Sequence, residues 1–270
     1  MKKLIYLAMI LLLAGCTPNT NHNLNSVLWV QTAAEYQANA YQAYNAAMQN
    51  IETAIADHRW TAAIEQTHNF YDLPPAVILD LDETVFDTSE FQAQLVIDGS
   101  GFQVSVWDKW LKMRRAESIA GAVDFIDQIQ AKGIETFFIT NRECRKRQDR
   151  VSSCPQKTDT IENLKNIGIM GIDESNVLLK NEYSDWGSEK QTRRKFVAQK
   201  YRILMIFGDD LGDFIPNVKK EITPEKRCEL TAVFHENWGR KWFILPNPMY
   251  GSWHQILEKP RNQYLQGIYE

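Results

Sequence analysis

The chain has no excess of basic residues. Its 270 residues include 30 Lys and Arg against 34 Asp and Glu, which gives a formal net charge of -4 at pH 7. Affinity for a nucleic-acid backbone comes mostly from clustered Lys and Arg, so this balance argues against a general binder of nucleic-acid polymers. Compositional bias is absent too, because 44% hydrophobic and 24% charged residues are typical of a globular protein rather than a disordered one.

The N-terminus lacks an apolar run long enough for a mature membrane-spanning helix. Its run IYLAMILLL, at residues 5–13, follows the basic start MKK and leads through small residues to Cys16. This pattern resembles a bacterial lipoprotein signal, which predicts cleavage after residue 15 and lipidation of Cys16. An uncleaved anchor and an ordinary secretory signal are the alternatives. Thr17, in a place where Asp would indicate retention at the inner membrane, favours lipid anchoring to the outer membrane of a two-membrane bacterium.

Cysteine is scarce, with four residues in the chain. If Cys16 is lipidated, Cys144, Cys154 and Cys228 remain in an oxidising compartment, and one of them is left over. Cys144 and Cys154 flank the loop RKRQDRVSS, and a disulfide across it would contribute roughly 2 to 3 kcal/mol. We predict this disulfide. A metal site is the alternative, although no His or further Cys lies at ligand spacing.

Pro and Gly are both missing from residues 26–57, which allows an uninterrupted helix. Apolar side chains recur there at steps of three and four, at Tyr41, Tyr44, Met48, Ile51 and Ile55. This spacing predicts one long amphipathic helix, followed by a shorter helical piece near residues 60–66. The polar residues 16–25 are interpreted as a flexible tether after the signal at residues 1–15, and residues 26–72 as an N-terminal helical region.

Five short apolar runs follow the prolines at positions 74 and 75, and amphipathic segments separate them. The runs are AVIL, TFFI, VLL, ILMIF and KWFIL, with helical patterns near residues 120–132, 159–166 and 189–201. This alternation predicts an α/β fold, with a Rossmann-like parallel sheet and helices on both of its faces. The N-terminal segment is expected to build most of a smaller, mainly helical domain. In such sheets the ligand binds at the carboxyl ends of the strands.

Acidic and polar side chains follow three of these runs. They are Asp80, Asp82 and Glu83 after the first, Thr140, Asn141 and Arg142 after the second, and Asp209, Asp210 and Asp213 after the fourth. Two carboxylates about 4 Å apart repel by roughly 4 kcal/mol at an effective dielectric of about 20, so a cation is needed to compensate. Ligands that are all oxygen favour Mg²⁺ over Zn²⁺. Because Mg²⁺ commonly shares phosphate oxygens with carboxylates, the predicted substrate is a small phosphate monoester.

Three of these stretches resemble motifs of the haloacid dehalogenase superfamily: DLDET resembles motif one, TN motif two and GDDLGD motif four. With AEYQANAYQAYNAA, FFITNR and LPNPMYGSW behind a lipoprotein signal, the sequence resembles the class C bacterial acid phosphatases more closely. That family consists of surface lipoproteins that remove phosphate from nucleotides and other monoesters. The resemblance spans nearly the whole mature chain. It implies a catalytic domain at residues 73–270, Mg²⁺ as cofactor, and nucleoside 5'-monophosphates among the substrates.

The resemblance also implies roles for individual residues. Asp80 would be the nucleophile, and Asp82 the general acid and base whose backbone carbonyl also binds the metal. Asp209 would complete the protein ligands of the metal, and Asp213 would hold a metal-bound water. Asp210 stands where many family members carry Asn. It either lies in a hydrogen-bonded shell behind the ligands or raises the pKa of a neighbouring carboxylate.

Motif two would supply Thr140 and Asn141 as donors to the phosphoryl oxygens, and Lys190 would be the lysine of motif three. Lys190 precedes the Thr-Arg pair that the family places after its lysine. The basic run at residues 142–150 is interpreted as a solvated loop, with steering of anions toward the site as the alternative. Solvated helix charges are predicted for the other cations near motif three: Lys180, Arg193, Arg194, Lys195 and Lys200.

In the family, aromatic residues sandwich a nucleoside base, and the corresponding regions here hold Trp107, Trp110, Tyr250 and Trp253. Stacking contributes roughly 1 to 3 kcal/mol per base. The alternative role of these rings is packing inside the protein.

Two other functions stay open: a surface lipoprotein that binds a ligand or partner without catalysis, and a related phosphatase specific for sugar phosphates. Self-association into a homo-oligomer is open as well.

Overall fold

The structure, a computed structural model, describes residues 23–148 and 152–268. The predicted signal peptide, Cys16 and most of the predicted tether lie outside these residues. Within them, no helix combines the length and the apolar character needed to cross a membrane.

Helices and short strands alternate along the described chain. The α-helices are α1 (Leu24–Thr32), α2 (Ala34–Ala56), α3 (Ser89–Ile97), α4 (Val104–Leu111), α5 (Ala122–Ala131), α6 (Pro155–Asn166), α7 (Gln191–Ala198), α8 (Pro224–Val233) and α9 (Ser252–Gln255). The strands are β1 (Pro75–Leu79), β2 (Phe86–Asp87), β3 (Glu117–Ser118), β4 (Glu135–Glu143), β5 (Val177–Lys180), β6 (Arg202–Gly208) and β7 (Trp242–Ile244). Short 3-10 helices lie at Leu211–Asp213, His235–Asn237 and Arg261–Tyr264.

The main sheet has five strands in the order β5-β4-β1-β6-β7, and every neighbouring pair is parallel. These are the five strands predicted from the apolar runs, and α5, α6 and α7 are the helices predicted between them. The α/β fold with a parallel sheet is therefore confirmed. Strands β2 and β3 form a separate antiparallel pair beside it.

The sheet is buried on both faces because side chains of its central strand alternate between two hydrophobic cores. Val77 and Leu79 of β1 lie in the core that also contains residues of α2, α5 and α6. Ala76 and Ile78 lie in the opposite core, together with Val197 of α7. Helix α2 thus packs directly on the sheet, so the N-terminal segment shares a core with β1.

The predicted single helix over residues 26–57 is divided at Ala33, where the backbone is extended with ψ 125°. The prediction of one helix is wrong at this residue because the two pieces pack against different partners. Helix α1 contacts α3, and its Val27 and Val30 join Tyr36 and Met249 in a small separate core.

Helix α2 contacts the sheet through a stripe in which alanines alternate with larger residues. Its buried residues are Tyr36, Ala40, Tyr44, Ala47, Ile51 and Ala54. Tyr44 and Ile51 belong to the predicted apolar face, but Tyr41 is 49% exposed, so the stripe is shifted from its predicted position. The alanines let the helix approach the sheet closely, where the Tyr44 ring stacks on Phe207 with centroids 5.1 Å apart.

Residues 60–66 form turns instead of the predicted short helix. The buried Trp60 donates its indole N–H to the carbonyl of Leu204 at 2.7 Å, and the N–H of Ala62 donates to the carbonyl of Ile203 at 2.7 Å. Because this segment bonds to β6, tertiary contacts override its local helical pattern.

Candidate active site

The carboxyl ends of β1 and β6 bring three acids together. Pairing of the two strands extends to Asp80, whose N–H donates to the carbonyl of Phe207 at 3.0 Å. Asp209 directly follows β6. One carboxylate oxygen from each of Asp80, Asp209 and Asp213 lies within 4.8 Å of the other two, so the predicted convergence of distant segments is observed.

A tight turn after β6 directs Asp213 back toward the strand end. Residues Leu211–Asp213 form a 3-10 helix, and Oδ2 of Asp213 accepts from the N–H groups of Asp209 at 3.1 Å and Asp210 at 3.0 Å. A Cβ at Gly208 would collide with the Asp213 carboxylate. The turn therefore requires glycine at position 208, because only a residue without Cβ leaves room for this approach.

Lys190 lies between two of the acids. It directly precedes α7, is 4% exposed, and its Nζ contacts Asp80 and, at 2.5 Å, Oδ1 of Asp213. Burial by itself would lower the pKa of Lys190, but the charges of Asp213 and Asp80 outweigh that effect and raise it. A buried, charged lysine is thus held beside the proposed nucleophile.

Asp209 lies where burial and neighbouring acids disfavour its charged form. Burial raises the pKa of Asp209 well above its usual value, and the nearby charges of Asp80 and Asp213 raise it further. The side-chain amide of Asn247, from the loop after β7, donates to Oδ2 of Asp209 at 2.7 Å. Sequence reasoning missed Asn247 as a site residue, although its position after the fifth apolar run was a signal that could have identified it.

Asp210 points away from the acid cluster. Its Oδ1 accepts from the N–H of Gly212 and the hydroxyl of Ser252, both at 2.8 Å, and its Oδ2 accepts from the N–H of Ser252 at 2.6 Å. Burial would raise the pKa of Asp210, but the charge of Lys219 and these hydrogen bonds lower it. The structure places Asp210 in a hydrogen-bonded shell that joins the turn to α9, and its charge also helps to raise the pKa of Asp213.

Thr140 and Asn141 lie in the carboxyl-terminal half of β4, and a buried arginine contacts both. Arg193 contacts the Thr140 carbonyl and donates to Oδ1 of Asn141 at 2.8 Å. Arg193 and Arg194 are 0% and 1% exposed, so the prediction of solvated helix charges is wrong for these two. It is wrong for Lys180 as well, because this residue ends strand β5 and lines the cavity described below. Helix α7 directs Arg193 toward β4 and Arg194 toward the turn after β6. Arg194 donates to the backbone carbonyl of Asp213 in that turn and to the carboxylate of Glu65.

Asp82 is paired with Arg142, whose Nη2 lies 2.6 Å from Oδ1 and whose Nε lies 3.1 Å from both oxygens. The interpretation of residues 142–150 as a solvated loop is therefore wrong at Arg142, and also at Arg147, because both side chains are buried against carboxylates.

The predicted disulfide between Cys144 and Cys154 is present in this loop. Cys228 is the free, exposed cysteine within the described ranges.

The site opens into a cavity of about 630 Å³, and two of the four predicted stacking residues, Trp107 and Tyr250, line it. Trp110 lies behind Trp107, with stacked ring centroids 5.1 Å apart, and Trp253 donates its indole N–H to the carbonyls of Asn247 and Tyr250. These two rings therefore support the cavity wall. Phe102, which sequence reasoning did not single out, also lines the cavity although it is 59% exposed.

Charged side chains of both signs line this cavity in equal number. The carboxylates are Asp80, Asp82, Asp209, Asp210 and Asp213, and the cations are Arg142, Lys180, Lys190, Lys219 and Lys220. Acids at the carboxyl edge of a parallel sheet, with a lysine between two of them, form an α/β-type ligand site that could hold a divalent metal ion and an anionic group.

The chain belongs to the haloacid dehalogenase superfamily, subfamily IIIB acid phosphatases, because the model of that family matches residues 12–253. It is similar to the class C acid phosphatase from Bacillus anthracis, at 30% identity over 92% of this chain and 98% of that chain, with a TM-score of 0.76. A structure of the class C acid phosphatase from Bacillus anthracis with tungstate bound is 30% identical and matches 91% of this chain and 97% of that chain, with a TM-score of 0.75. The predicted resemblance to class C acid phosphatases is confirmed.

Proposed function

We propose that this acid phosphatase hydrolyses phosphate monoesters through an aspartyl phosphate formed on Asp80, with Mg²⁺ as its metal. The observation that carries the proposal is the contact of Asp80 with the buried Lys190, beside Asp209 and Asp213. Lysine offsets the negative charge that nucleophile and phosphate bring together. Tungstate, an oxyanion bound to the Bacillus anthracis relative, supports an oxyanion site in the same fold.

The donor set fits Mg²⁺. The cluster consists of carboxylates alone, and hard oxygen ligands suit this ion. Asp80, Asp209 and the backbone carbonyl of Asp82 would hold it, and the ion would neutralise negative charge on the transferring phosphoryl group. Asp213 already accepts from two backbone N–H groups and Lys190, which favours an indirect contact through water.

The residues divide the reaction into two displacements. Asp80 attacks phosphorus as the ester bond breaks, and Asp82 gives its proton to the departing oxygen. The Asp82 carboxylate then takes a proton from water, whose oxygen attacks phosphorus, so that inorganic phosphate leaves and Asp80 is restored. Mildly acidic solution favours this sequence because Asp82 must begin protonated while Asp80 is ionised. A rate that stays constant from about pH 5 to about pH 9 would contradict this division of roles.

The charge of the cavity suits an anionic ester. Its cations are as numerous as its carboxylates, so a bound divalent ion would add positive charge that favours a phosphate monoester. Trp107 and Tyr250 face the same space, which supports nucleoside 5'-monophosphates as substrates. Sugar phosphates are the alternative substrate class, and ligand capture without turnover is the alternative function.

The central experiment measures turnover of nucleotides, sugar phosphates and an aryl phosphate with added Mg²⁺. Asp80→Asn is expected to lower turnover of every ester by at least about a thousandfold while the fold is retained. The exposed Asp127→Asn is the matched control and keeps wild-type rates. Equal rates for Asp80→Asn and wild type would remove Asp80 as nucleophile, and no turnover by wild type would favour the binding function.

A second experiment tests the nucleotide preference. Trp107→Ala is expected to lower kcat/KM for a nucleoside monophosphate by about 5- to 100-fold, the equivalent of one lost stacking contact, and to leave a small alkyl phosphate almost unchanged. An equal loss for both esters would indicate that Trp107 packs against the protein rather than against a base.

We also propose that lipid on Cys16 anchors the protein to the outer membrane. The support is the sequence pattern that ends at this cysteine. Cys16→Ala is expected to move the protein from the membrane fraction to the soluble fraction. Retention of the variant in the membrane fraction would indicate an uncleaved anchor instead.

A further inference from the structure

Asp82 is fixed by a forked contact with a single arginine. The Nε and Nη2 atoms of Arg142 make three contacts with the Asp82 carboxylate, two of them to Oδ1. The Arg142 side chain is 1% exposed and that of Asp82 is 15% exposed. Two donors on one planar group set both the position and the orientation of a carboxylate, which a single donor cannot do.

Arg142 itself is held on several sides. Its Nη1 donates to Oγ1 of Thr160 in α6 at 3.2 Å, and its backbone N–H donates to Oγ1 of Thr140 at 3.1 Å. The guanidinium lies over the Phe86 ring, 4.6 Å from its centroid, and 6.0 Å from the centroid of Trp107. The arginine thus connects the wall of the cavity, helix α6 and the loop after β1.

The pair is expensive to bury, which argues for a role beyond stability. Buried ion pairs often stabilise a protein no more than well-packed apolar residues would, because both charges lose solvation. Arg142 and Asp82 both line the cavity that contains Asp80 and Lys190. A costly contact from two donors at this place is explained if the orientation of the Asp82 carboxyl group matters for the reaction.

We propose, on the basis of the function proposed above, that Arg142 is the positioning residue for Asp82 in proton transfer. In the first displacement the proton moves from Oδ2 of Asp82, the oxygen with the single 3.1 Å contact, to the oxygen of the departing alcohol, while Oδ1 stays bonded to Nε and Nη2 of Arg142. Arg142 then holds the resulting carboxylate in the orientation from which it takes a proton from the attacking water. A well-placed general acid or base contributes about 10²- to 10⁴-fold to a rate, and loss of orientation forfeits part of that factor.

The leaving group separates this role from a purely structural one. An alkoxide leaving group needs a proton as its bond to phosphorus breaks, whereas 4-nitrophenolate departs readily without one. Because kcat/KM reports the steps up to the first irreversible one, it contains the first displacement but not the hydrolysis of the aspartyl phosphate. A misplaced Asp82 therefore lowers kcat/KM for an alkyl phosphate more than for 4-nitrophenyl phosphate.

The test compares Arg142→Lys with wild type on these two esters at saturating Mg²⁺. Lysine keeps the charge but lacks the fork, and we expect kcat/KM to fall about 10- to 100-fold for the alkyl ester and by less than about 3-fold for the 4-nitrophenyl ester. Because hydrolysis of the aspartyl phosphate also needs Asp82, the variant should show a burst of 4-nitrophenolate. Arg114→Lys changes an arginine–aspartate pair with Asp159 outside the cavity and is the matched control.

A second variant avoids the risk that Arg142→Lys disturbs folding. Thr160→Val removes the hydroxyl that accepts from Nη1 and keeps the shape of the side chain. It should change the ratio of the two kcat/KM values in the same direction, by about 3- to 10-fold, while the circular-dichroism spectrum stays that of wild type. The melting temperature should fall slightly, because Nη1 of Arg142 loses a buried acceptor. In an Asp82→Asn background, neither substitution should alter this ratio further, because the group that Arg142 orients is absent.

Equal losses for the two esters, or no loss for either, would overturn the proposal. So would a full effect of Arg142→Lys in the Asp82→Asn background. Failure of the proposed function looks different: wild type itself would then turn over neither ester with Mg²⁺.

Discussion

Asn247 donates its side-chain amide to the Asp209 carboxylate at 2.7 Å, across the gap between the ends of β6 and β7. Oδ1 of Asn247 accepts from the N–H groups of Met249 at 3.0 Å and Tyr250 at 3.3 Å. One side chain therefore orients a proposed metal ligand and shapes the loop that carries an aromatic residue of the cavity. The proposed metal site and the cavity wall are structurally connected through it.

We predict that Asn247→Ala weakens metal binding. Loss of a residue that orients a ligand typically costs about 10- to 100-fold in metal affinity, so the Mg²⁺ concentration for half-maximal activity should rise by about that factor. The measurement is initial rate against Mg²⁺ concentration. Asn39→Ala, on the exposed surface of α2, is the control. An unchanged Mg²⁺ titration would show that Asp209 is held by other contacts.

Without metal, the acid cluster should make stability fall as pH rises. Burial and the charges of Asp80 and Asp213 raise the pKa of Asp209, so the folded protein binds this proton more tightly than the unfolded chain does. The resulting stabilisation is present at acid pH and is lost as pH increases through the raised pKa. In the presence of a chelator, Asp209→Asn should therefore melt several degrees above wild type at about pH 8, since about 1 kcal/mol corresponds to about 2 to 4 °C in a protein of this size.

That advantage should disappear below about pH 4, where the carboxyl group is protonated in both states. The exposed Asp127→Asn serves as control and should follow wild type at each pH. Added Mg²⁺ should stabilise wild type more than Asp209→Asn. A melting difference that does not change with pH would exclude the charge of Asp209 as its cause.

Arg193 is predicted to support substrate binding through Asn141. Burial lowers the pKa of Arg193 to about 10, so it stays charged at neutral pH while it contacts the Thr140 carbonyl and Oδ1 of Asn141. Lysine cannot make both contacts, and loss of one buried hydrogen bond of about 1.5 kcal/mol predicts about a tenfold lower kcat/KM for Arg193→Lys. Lys195→Gln, on the exposed side of the same helix, should keep the wild-type value. Similar losses in the two variants would point to a general effect of charge.

Tyr44 links α2 to the loop after β1, which follows the proposed nucleophile Asp80. Its hydroxyl donates to the carbonyl of Thr84 at 2.7 Å in the protein interior. Tyr44→Phe should lower the free energy of unfolding by about 1 to 3 kcal/mol, because a buried acceptor loses its donor. Urea unfolding measures this cost, and Tyr41→Phe, which alters a 49% exposed ring, should cost almost nothing. If the two substitutions cost the same, the bond to Thr84 does not contribute to stability.

The strands and the acid cluster were predictable because their signals are local. Each apolar run is bounded by turns, and parallel strands necessarily end at one edge, so Asp80 and Asp209 could be expected to meet. The helix break at Ala33 was not predictable in this way. No Pro or Gly marks it, and the break depends on α1 finding partners in α3 rather than on the residues around it.

The polar contacts of the site were hidden for a related reason. In the sequence, Arg142 is the first residue of a basic run, yet it is paired with Asp82, sixty positions earlier. Arg193 has the pattern of a solvated helix charge, yet it donates to Asn141. The charge of a residue and its position in the sequence indicate which kinds of group it can bind. They do not indicate which group lies beside it after folding.

The sequence by itself determined the order of the five sheet strands and of the three helices between them, the family motifs and the chemical nature of the acids, because periodicity and residue type are properties of neighbouring positions. Only the tertiary structure decided three polar contacts of the site. They join Asp210 to Ser252, Asn247 to Asp209, and Arg142 to Asp82. Those contacts join segments distant in sequence, and their geometry depends on how the helices and loops pack against the sheet.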